Sequence, residues 1–157
     1  MIVKRHNSNG GGNHTPTEII THVEGEFIND GERIEWAPDF ETRIGLSVHY
    51  YITPSGVIIE QRPPELIAYH AKGHNTGTIG VGWLLSGVHT YETLIQATKT
   101  HWVTDAQCTW GVWLYRHLMK QYGIHSFARH SDIDPKRRWF DPGEGFPWDW
   151  LMEQVNG

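Results

Sequence analysis

Between Thr104 and Gly123 the chain carries the start and stop signals of one long helix, and no other stretch constrains the fold as much. Thr104 and Gln107 stand three residues apart, as a capping box requires, and Gly123 sits where a left-handed C-cap is needed. Ala106, Trp110, Trp113, Leu114, His117 and Leu118 recur at helical spacing, so one face must be buried against another layer. Upstream segments supply that layer. Glu18 to Val23 (EIITHV) reads as a short β-branched strand. Ser47 to Thr53 and Gly56 to Gln61 flank Pro54-Ser55-Gly56 as a hairpin, and Thr78 to Leu85 reads as a buried strand. A short helix over Pro38 to Ile44, closed by Gly45, a last strand over Ile124 to Arg129 and a last helix over Pro147 to Val155 complete the pattern. Strands and helices interleave, as in an α/β or α+β domain, and no internal repeat is present.

A chain of 157 residues can bury a core without disulfides, and Cys108, its only cysteine, excludes an internal disulfide and any multi-cysteine metal site. The formal charge of -5 offers no general grip on nucleic acid or anionic lipid, and no apolar run approaches the roughly 20 residues of a membrane span. No nucleic-acid partner, no membrane insertion and a monomer are therefore expected. Residues 1–16 end in a Gly-rich, Pro-terminated stretch and read as a flexible tail or an edge-covering arm, with the folded domain over 17–157. Met1 to Asn13 lacks the apolar core of a secretory signal, so synthesis in the cytoplasm without a signal peptide is expected. The loop from Arg62 to Gly77 is long enough to suggest function.

Eleven histidines motivate a search for a metal site. His22 lies inside a strand and His130 just after another. Singly, each reads more readily as a hydrogen-bonded core histidine than as a ligand. The block from Arg129 to Trp148 changes that balance: a strand-end histidine is followed, one loop later, by Asp141 in Asp-Pro-Gly. One nitrogen and one oxygen ligand, with a third ligand from a distant strand, make the three-ligand set with a free position typical of catalytic zinc. As an alternative, Asp141 simply caps the Pro142-Gly143 turn.

Four stretches, in order, resemble the zinc-dependent N-acetylmuramoyl-L-alanine amidases, the type 2 amidase family that includes bacteriophage lysozyme-like endolysins and peptidoglycan recognition proteins. They are Ile20-Thr-His22; His49 to Gly56 (HYYITPSG); Tyr69 to Asn75 (YHAKGHN) with Thr78 to Val81 (TIGV); and His130-Ser-Asp-Ile with Asp141-Pro-Gly. The resemblance spans about Glu18 to Val155. It implies a mixed central β-sheet flanked by helices in a single domain, with Zn2+ on His22, His130 and Asp141. It also implies hydrolysis, by zinc-activated water, of the amide between N-acetylmuramic acid and L-alanine in bacterial peptidoglycan or muropeptides. His70 matches the family's loop histidine, with a role in binding substrate or stabilising the tetrahedral intermediate; Tyr69, Lys72, His74 and Asn75 fall in the same substrate loop.

The resemblance breaks at the general base. Members commonly place a glutamate where this chain has Gly82, or a tyrosine where it has Val48. Glu24 and Glu26 follow His22 at even spacing and share its strand face if the strand continues. Glu26 ranks first, by likeness to a motif of some phage-type members, and Tyr50 is a further candidate. The family's oxyanion lysine is replaced by Trp139, with Arg138 or Lys136 as substitutes that the sequence does not separate. Trp110 and Trp113 read as core, Trp148 and Trp150 as packing more than sugar platforms, and His49 as core or as support for a ligand. A phage-type endolysin, acting on the wall after release, is the leading reading. A cytosolic muropeptide-recycling amidase and a non-catalytic muropeptide-binding module of the same fold are the alternatives.

Overall fold

The computed structural model describes residues 2–157, and its backbone is organised around two twelve-residue strands. One, β3 (Glu18–Asn29), pairs in parallel with the other, β8 (Thr78–His89), with His22 opposite Gly82 and Glu24 opposite Leu84. The sequence suggests that β3 ends near Val23; it runs six residues further because its far end turns into a hairpin. Asp30 Oδ1 accepts the backbone N–H groups of Glu32 and Arg33, and Gly31 adopts φ 93°, so the chain reverses into β4 (Ile34–Trp36), antiparallel to β3.

On the other side of β8 lies the expected hairpin, β5 (Tyr50–Ile52) with β6 (Ile58–Glu60), closed by Thr53 N–H donating to the Val57 carbonyl. Gly56 takes φ 87° at the turn, a conformation for which glycine is the default residue. The last strand, β9 (Ser126–Arg129), pairs in parallel with Glu18 to Thr21 of β3. Thus β9 covers one end of β3's outer edge and β4 the other, and among the described residues the stretch from His22 to Glu26 between them has no strand partner on that side. The gap in the sheet edge is where the chemistry collects.

The stretch expected as an N-terminal arm lies along the domain, with Met1 outside the described residues. Ile2–Lys4 (β1) joins the main sheet in parallel with β6, and Gly10–Asn13 (β2) pairs antiparallel with Leu66–Ala68 (β7) inside the long loop. A side chain at Gly10 would strike the Ile67 carbonyl, 2.3 Å from an ideal Cβ, so this glycine serves close approach rather than freedom. Buried Arg62 fastens the contact by donating to the carbonyls of Asn7, Gly11 and Ile67.

Helices cover both faces of the sheet. The long helix, α3 (Asp105–Tyr122), starts at the Thr104 capping box and ends at Gly123 with φ 65°. It packs with α5 (Trp148–Asn156) on one face, where Leu114, Tyr115, Leu118 and Leu151 meet Ile19, Tyr50, Ile52, Ile79 and Trp83. Gly111 is required there, because a Cβ would stand 2.1 Å from the Trp83 ring. On the other face Ala37 of α1 (Ala37–Arg43) packs on Val48, Tyr51, Ile59 and Leu84. The mixed sheet flanked by helices in one α/β domain is the expected architecture.

Two helices have no counterpart in the sequence reading. α2 (Tyr91–Ala97) has no fully buried residue and is held by a cap at Thr90 and Thr93. α4 (His130–Ile133) is a single turn. One expectation fails: Trp110 and Trp113 are 38% and 41% exposed, not core. The buried stripe of α3 runs instead through Gln107, Gly111, Leu114, Tyr115 and Leu118, because the stripe centres on a glycine that hydrophobic periodicity cannot see.

Candidate active site

In the gap of β3's outer edge, the unclaimed Val23 N–H donates to Asp141 Oδ1 at 2.7 Å. Ser131 N–H in turn donates to the Asp141 carbonyl, tying the loop that carries Asp141 back to α4. With Oδ1 so occupied, Asp141 Oδ2 is left 3.1 Å from His130 Nδ1 and 3.9 Å from His22 Nδ1, and the two imidazole nitrogens are 3.0 Å apart. All three residues are buried. Ligand atoms about 2.0 to 2.2 Å from one tetrahedral ion stand about 3.3 Å from each other, so this triangle has the dimensions of a metal site. Burial raises the Asp141 pKa, but the hydrogen bond with His130 and the adjacent imidazoles outweigh it and hold the carboxyl at about 2. Burial likewise pushes His22 below its usual pKa, towards the neutral form a metal needs. Two neutral nitrogens and one carboxylate oxygen form a buried set able to hold a divalent metal.

The triangle lies in a cavity of about 670 Å³, whose apolar lining includes Ile28, Phe40, Ile44 and Leu46 together with Tyr91 and Leu94 of α2. His22 and Glu24 of β3, Glu41 of α1, His70, His130, Arg138 and Asp141 also line it. Of the two oxyanion candidates, Arg138 is at the cavity and Lys136 is not.

The candidate bases separate. Glu24 lines the cavity; Glu26 does not, and its carboxylate accepts the Gly87 N–H at 2.9 Å. The reason is a bulge: Gly25 pairs with Leu85 but Phe27 with Val88, so β8 carries an extra residue at Ser86-Gly87 and Glu26 is spent on it. Tyr50 also stays away from the cavity. A bend at His49 breaks the alternation, Val48 and Tyr51 share one face, and Tyr50 lies in the opposite core with its hydroxyl donating to Glu60. Tyr51, not Tyr50, reaches the site side, where its hydroxyl donates to Glu41.

Gly82 explains why the position before Trp83 carries no acid. An ideal Cβ there would stand 3.0 Å from the buried Tyr51 ring and 3.5 Å from Glu24 Cγ. Glu24 thus reaches across from the neighbouring strand into space that the glycine leaves. Burial, with the charges of Glu41 and Asp141 adding to it and Arg138 opposing, raises the Glu24 pKa well above the usual carboxyl range. Burial and the Asp141 charge raise Glu41 to about 7 against the hydrogen bond from Tyr51. Glu41 and Tyr51 escape a sequence reading, although an acid one helical turn from buried Ala37 is a signal for the first.

The long loop contributes one residue to the cavity. His70 Nδ1 is 2.8 Å from His22 Nε2. Tyr69, Lys72, His74 and Asn75 are not among the lining residues. Asn75 Oδ1 accepts the backbone N–H groups of His70 and Ala71 and so shapes the loop. His49 is fully buried, accepts the Gly80 N–H on Nδ1 and donates from Nε2 to the Leu66 carbonyl; it is core. Trp148 is half-buried beside the core, with Arg129 over its ring, whereas Trp150 is 39% exposed.

A model of the N-acetylmuramoyl-L-alanine amidase family matches residues 12–144. The chain belongs to that family. The amidase is thus a peptidoglycan hydrolase by class, and its buried His-His-Asp set lies within the matched span. Solved structures similar to this amidase include the endolysine N-acetylmuramoyl-L-alanine amidase LysCS from Clostridium intestinale URNW, at 23% identity over 99% of this chain and 95% of that one, with a TM-score of 0.75. A selenomethionine AmpD derivative follows at 20% identity, 98% and 94% coverage and a TM-score of 0.76. PlyL matches at 19% identity, 99% and 96% coverage and a TM-score of 0.68. At these identities the likeness is one of fold. No curated protein sequence matches the amidase significantly. Among the described residues no helix is long and apolar enough to cross a membrane.

Proposed function

We propose that this amidase uses Zn2+, held by His22, His130 and Asp141, to cleave the amide between the lactyl group of N-acetylmuramic acid and L-alanine, with Glu24 as general base. The observation that carries the proposal is the placement of Glu24 in the same cavity as the three-ligand triangle, on the strand that also bears His22. A nitrogen- and oxygen-donor set of three suits zinc with a position open to substrate. When bound, the ion supplies Lewis acidity towards the scissile carbonyl and lowers the pKa of the attacking water.

The chain's own groups supply the rest. A Glu24 carboxylate oxygen takes the proton of the attacking water and returns it to the departing alanine nitrogen. Its raised pKa favours holding that proton between the two transfers, and a divalent cation held by the triangle would oppose the rise. Arg138 faces the cavity as a cation for the developing oxyanion, a role in which preorganised charge is worth several kcal/mol. Apolar side chains of Phe40, Ile44, Leu46 and Leu94 line part of the cavity beside these polar groups. Tyr69, Lys72 and His74 lie outside the cavity on the His70 loop and serve as contacts for the stem peptide or glycan beyond the cleaved bond.

An endolysin acting on the bacterial wall as a monomer, with residues 2–16 as a strap of the single domain, is the reading we adopt. Zinc-loaded protein incubated with purified muropeptide should release a free L-alanine amine, read by mass spectrometry, and a chelator should stop it reversibly. Unchanged substrate at high protein concentration would leave only the binding-module alternative. A recycling role is tested by intact wall: clearing of purified sacculi supports the endolysin, and cleavage of soluble muropeptide alone opposes it.

A further inference from the structure

His22 has two ring nitrogens, and only one of them can face a metal. Nε2 points away from the triangle, to His70 Nδ1 at 2.8 Å. The opposite nitrogen of His70, Nε2, is 3.0 Å from Thr78 Oγ1. Thr78 Oγ1 also stands 2.7 Å from the His74 carbonyl and 3.2 Å from the Asn75 carbonyl. Carbonyl oxygens cannot donate, so the single hydroxyl proton of Thr78 must go to them; otherwise two oxygens would face each other at 2.7 Å with no proton between. The hydroxyl then has only lone pairs to offer His70, and His70 Nε2 must carry a proton. Neutral His70 therefore has a bare Nδ1, which can only accept, and His22 Nε2 must donate to it. His22 Nδ1 is left bare, facing His130 and Asp141.

The backbone is built to hold this line. The His70 ring lies on Gly80, where an ideal Cβ would stand 2.5 Å from its Cγ and 2.6 Å from its Nδ1. Thr78 is buried on β8 opposite Glu18, at the start of the pairing that places His22 opposite Gly82. Asn75 fixes the loop that carries His70, and His49 packs edge-on against the His70 ring at 5.9 Å between centroids.

We infer that Thr78 is a positioning residue: through His70 its hydroxyl sets the Nε2–H tautomer of His22 and so presents His22 Nδ1 to the metal. His70 is accordingly a support for a ligand, not a group that binds substrate. The metal half of the inference rests on the function proposed above; the tautomer half does not. Supporting shells of this kind typically alter metal affinity about 10- to 100-fold when removed.

The test is two-dimensional 15N NMR of the histidine rings in metal-free protein, together with zinc affinity measured by competition with a chromophoric chelator. Wild type should show Nε2–H tautomers for both His22 and His70. Thr78→Val, which keeps shape and removes the hydroxyl, should give mixed tautomers at both rings and weaken zinc about 10- to 100-fold. Thr78→Ser should restore both readouts. An Nδ1–H tautomer of His22 in the wild type overturns the inference without any variant, even if Thr78→Val does not fold. Unchanged tautomers and affinity in a folded Thr78→Val protein overturn it as well. A wild type with the expected tautomers and no zinc affinity would sink the metal reading while leaving the Thr78 relay standing.

Discussion

Gly82 and Glu24 face the same space from adjacent parallel strands: a Cβ on Gly82 would come within 3.5 Å of Glu24 Cγ and 3.0 Å of the Tyr51 ring. The carboxylate therefore enters the cavity from β3, and the strand beside it is cut back to receive it. Glu24→Gln should lower turnover on the order of a hundredfold or more while zinc content stays unchanged. Glu26→Gln should retain near-wild-type turnover, since that side chain holds only the β8 bulge. Steady-state hydrolysis of muropeptide by the two variants separates these outcomes, and the reverse ranking would remove Glu24 from the mechanism.

Restoring a glutamate at position 82 should harm the protein. Gly82→Glu forces a side chain against the fully buried Tyr51, at an expected cost of about 2 kcal/mol or more in urea unfolding. Added to Glu24→Gln, it should not recover turnover. Recovery would mean that the slot accepts either acid.

Metal removal should lower stability, because the three ligands converge only in the folded chain. Zinc at a hundred times its dissociation constant adds about 2.7 kcal/mol. Thermal melting with and without chelator should show that difference, and His22→Ala should abolish the zinc-dependent shift and the activity together.

His49 makes stability pH-dependent in the acid range. Burial pushes its pKa to about 4, below the ordinary 6.5, because the protonated ring has no place beside Gly80 N–H. The unfolded chain therefore binds a proton that the folded one refuses. Stability is fully present above pH 6.5 and falls as pH drops through 4, by on the order of 3 kcal/mol for this ring. Urea titrations of metal-free protein between pH 7 and 4 should show a slope of this sign, and His49→Gln should reduce it.

Trp113 and Leu114 are neighbours on α3 with opposite fates, 41% exposed and fully buried. Leu114→Ala should cost about 3 kcal/mol and Trp113→Ala no more than about 1. Comparable losses in chemical denaturation would return Trp113 to the core.

The long helix, the hairpin and the three residues of the buried His-His-Asp group are legible from the amino-acid sequence, because caps, turns and short ordered motifs are local signals. His22, His130 and Asp141 come from two ends of the chain, yet each sits in a recognisable stretch, so their convergence follows from resemblance. Which acid stands beside them does not. Glu24 and Glu26 have equal claims by alternation, and the choice is made by a bulge in β8 that shows only when the strands are paired. Tyr50 and Tyr51 exchange faces for the same reason, through the bend at His49. The path from Thr78 through His70 to His22 is likewise tertiary, since a proton's location on an imidazole depends on partners brought together by folding. Local chemistry wrote the elements and the His-His-Asp motifs into the sequence; register, set by contacts between distant strands, decided which side chains the cavity receives.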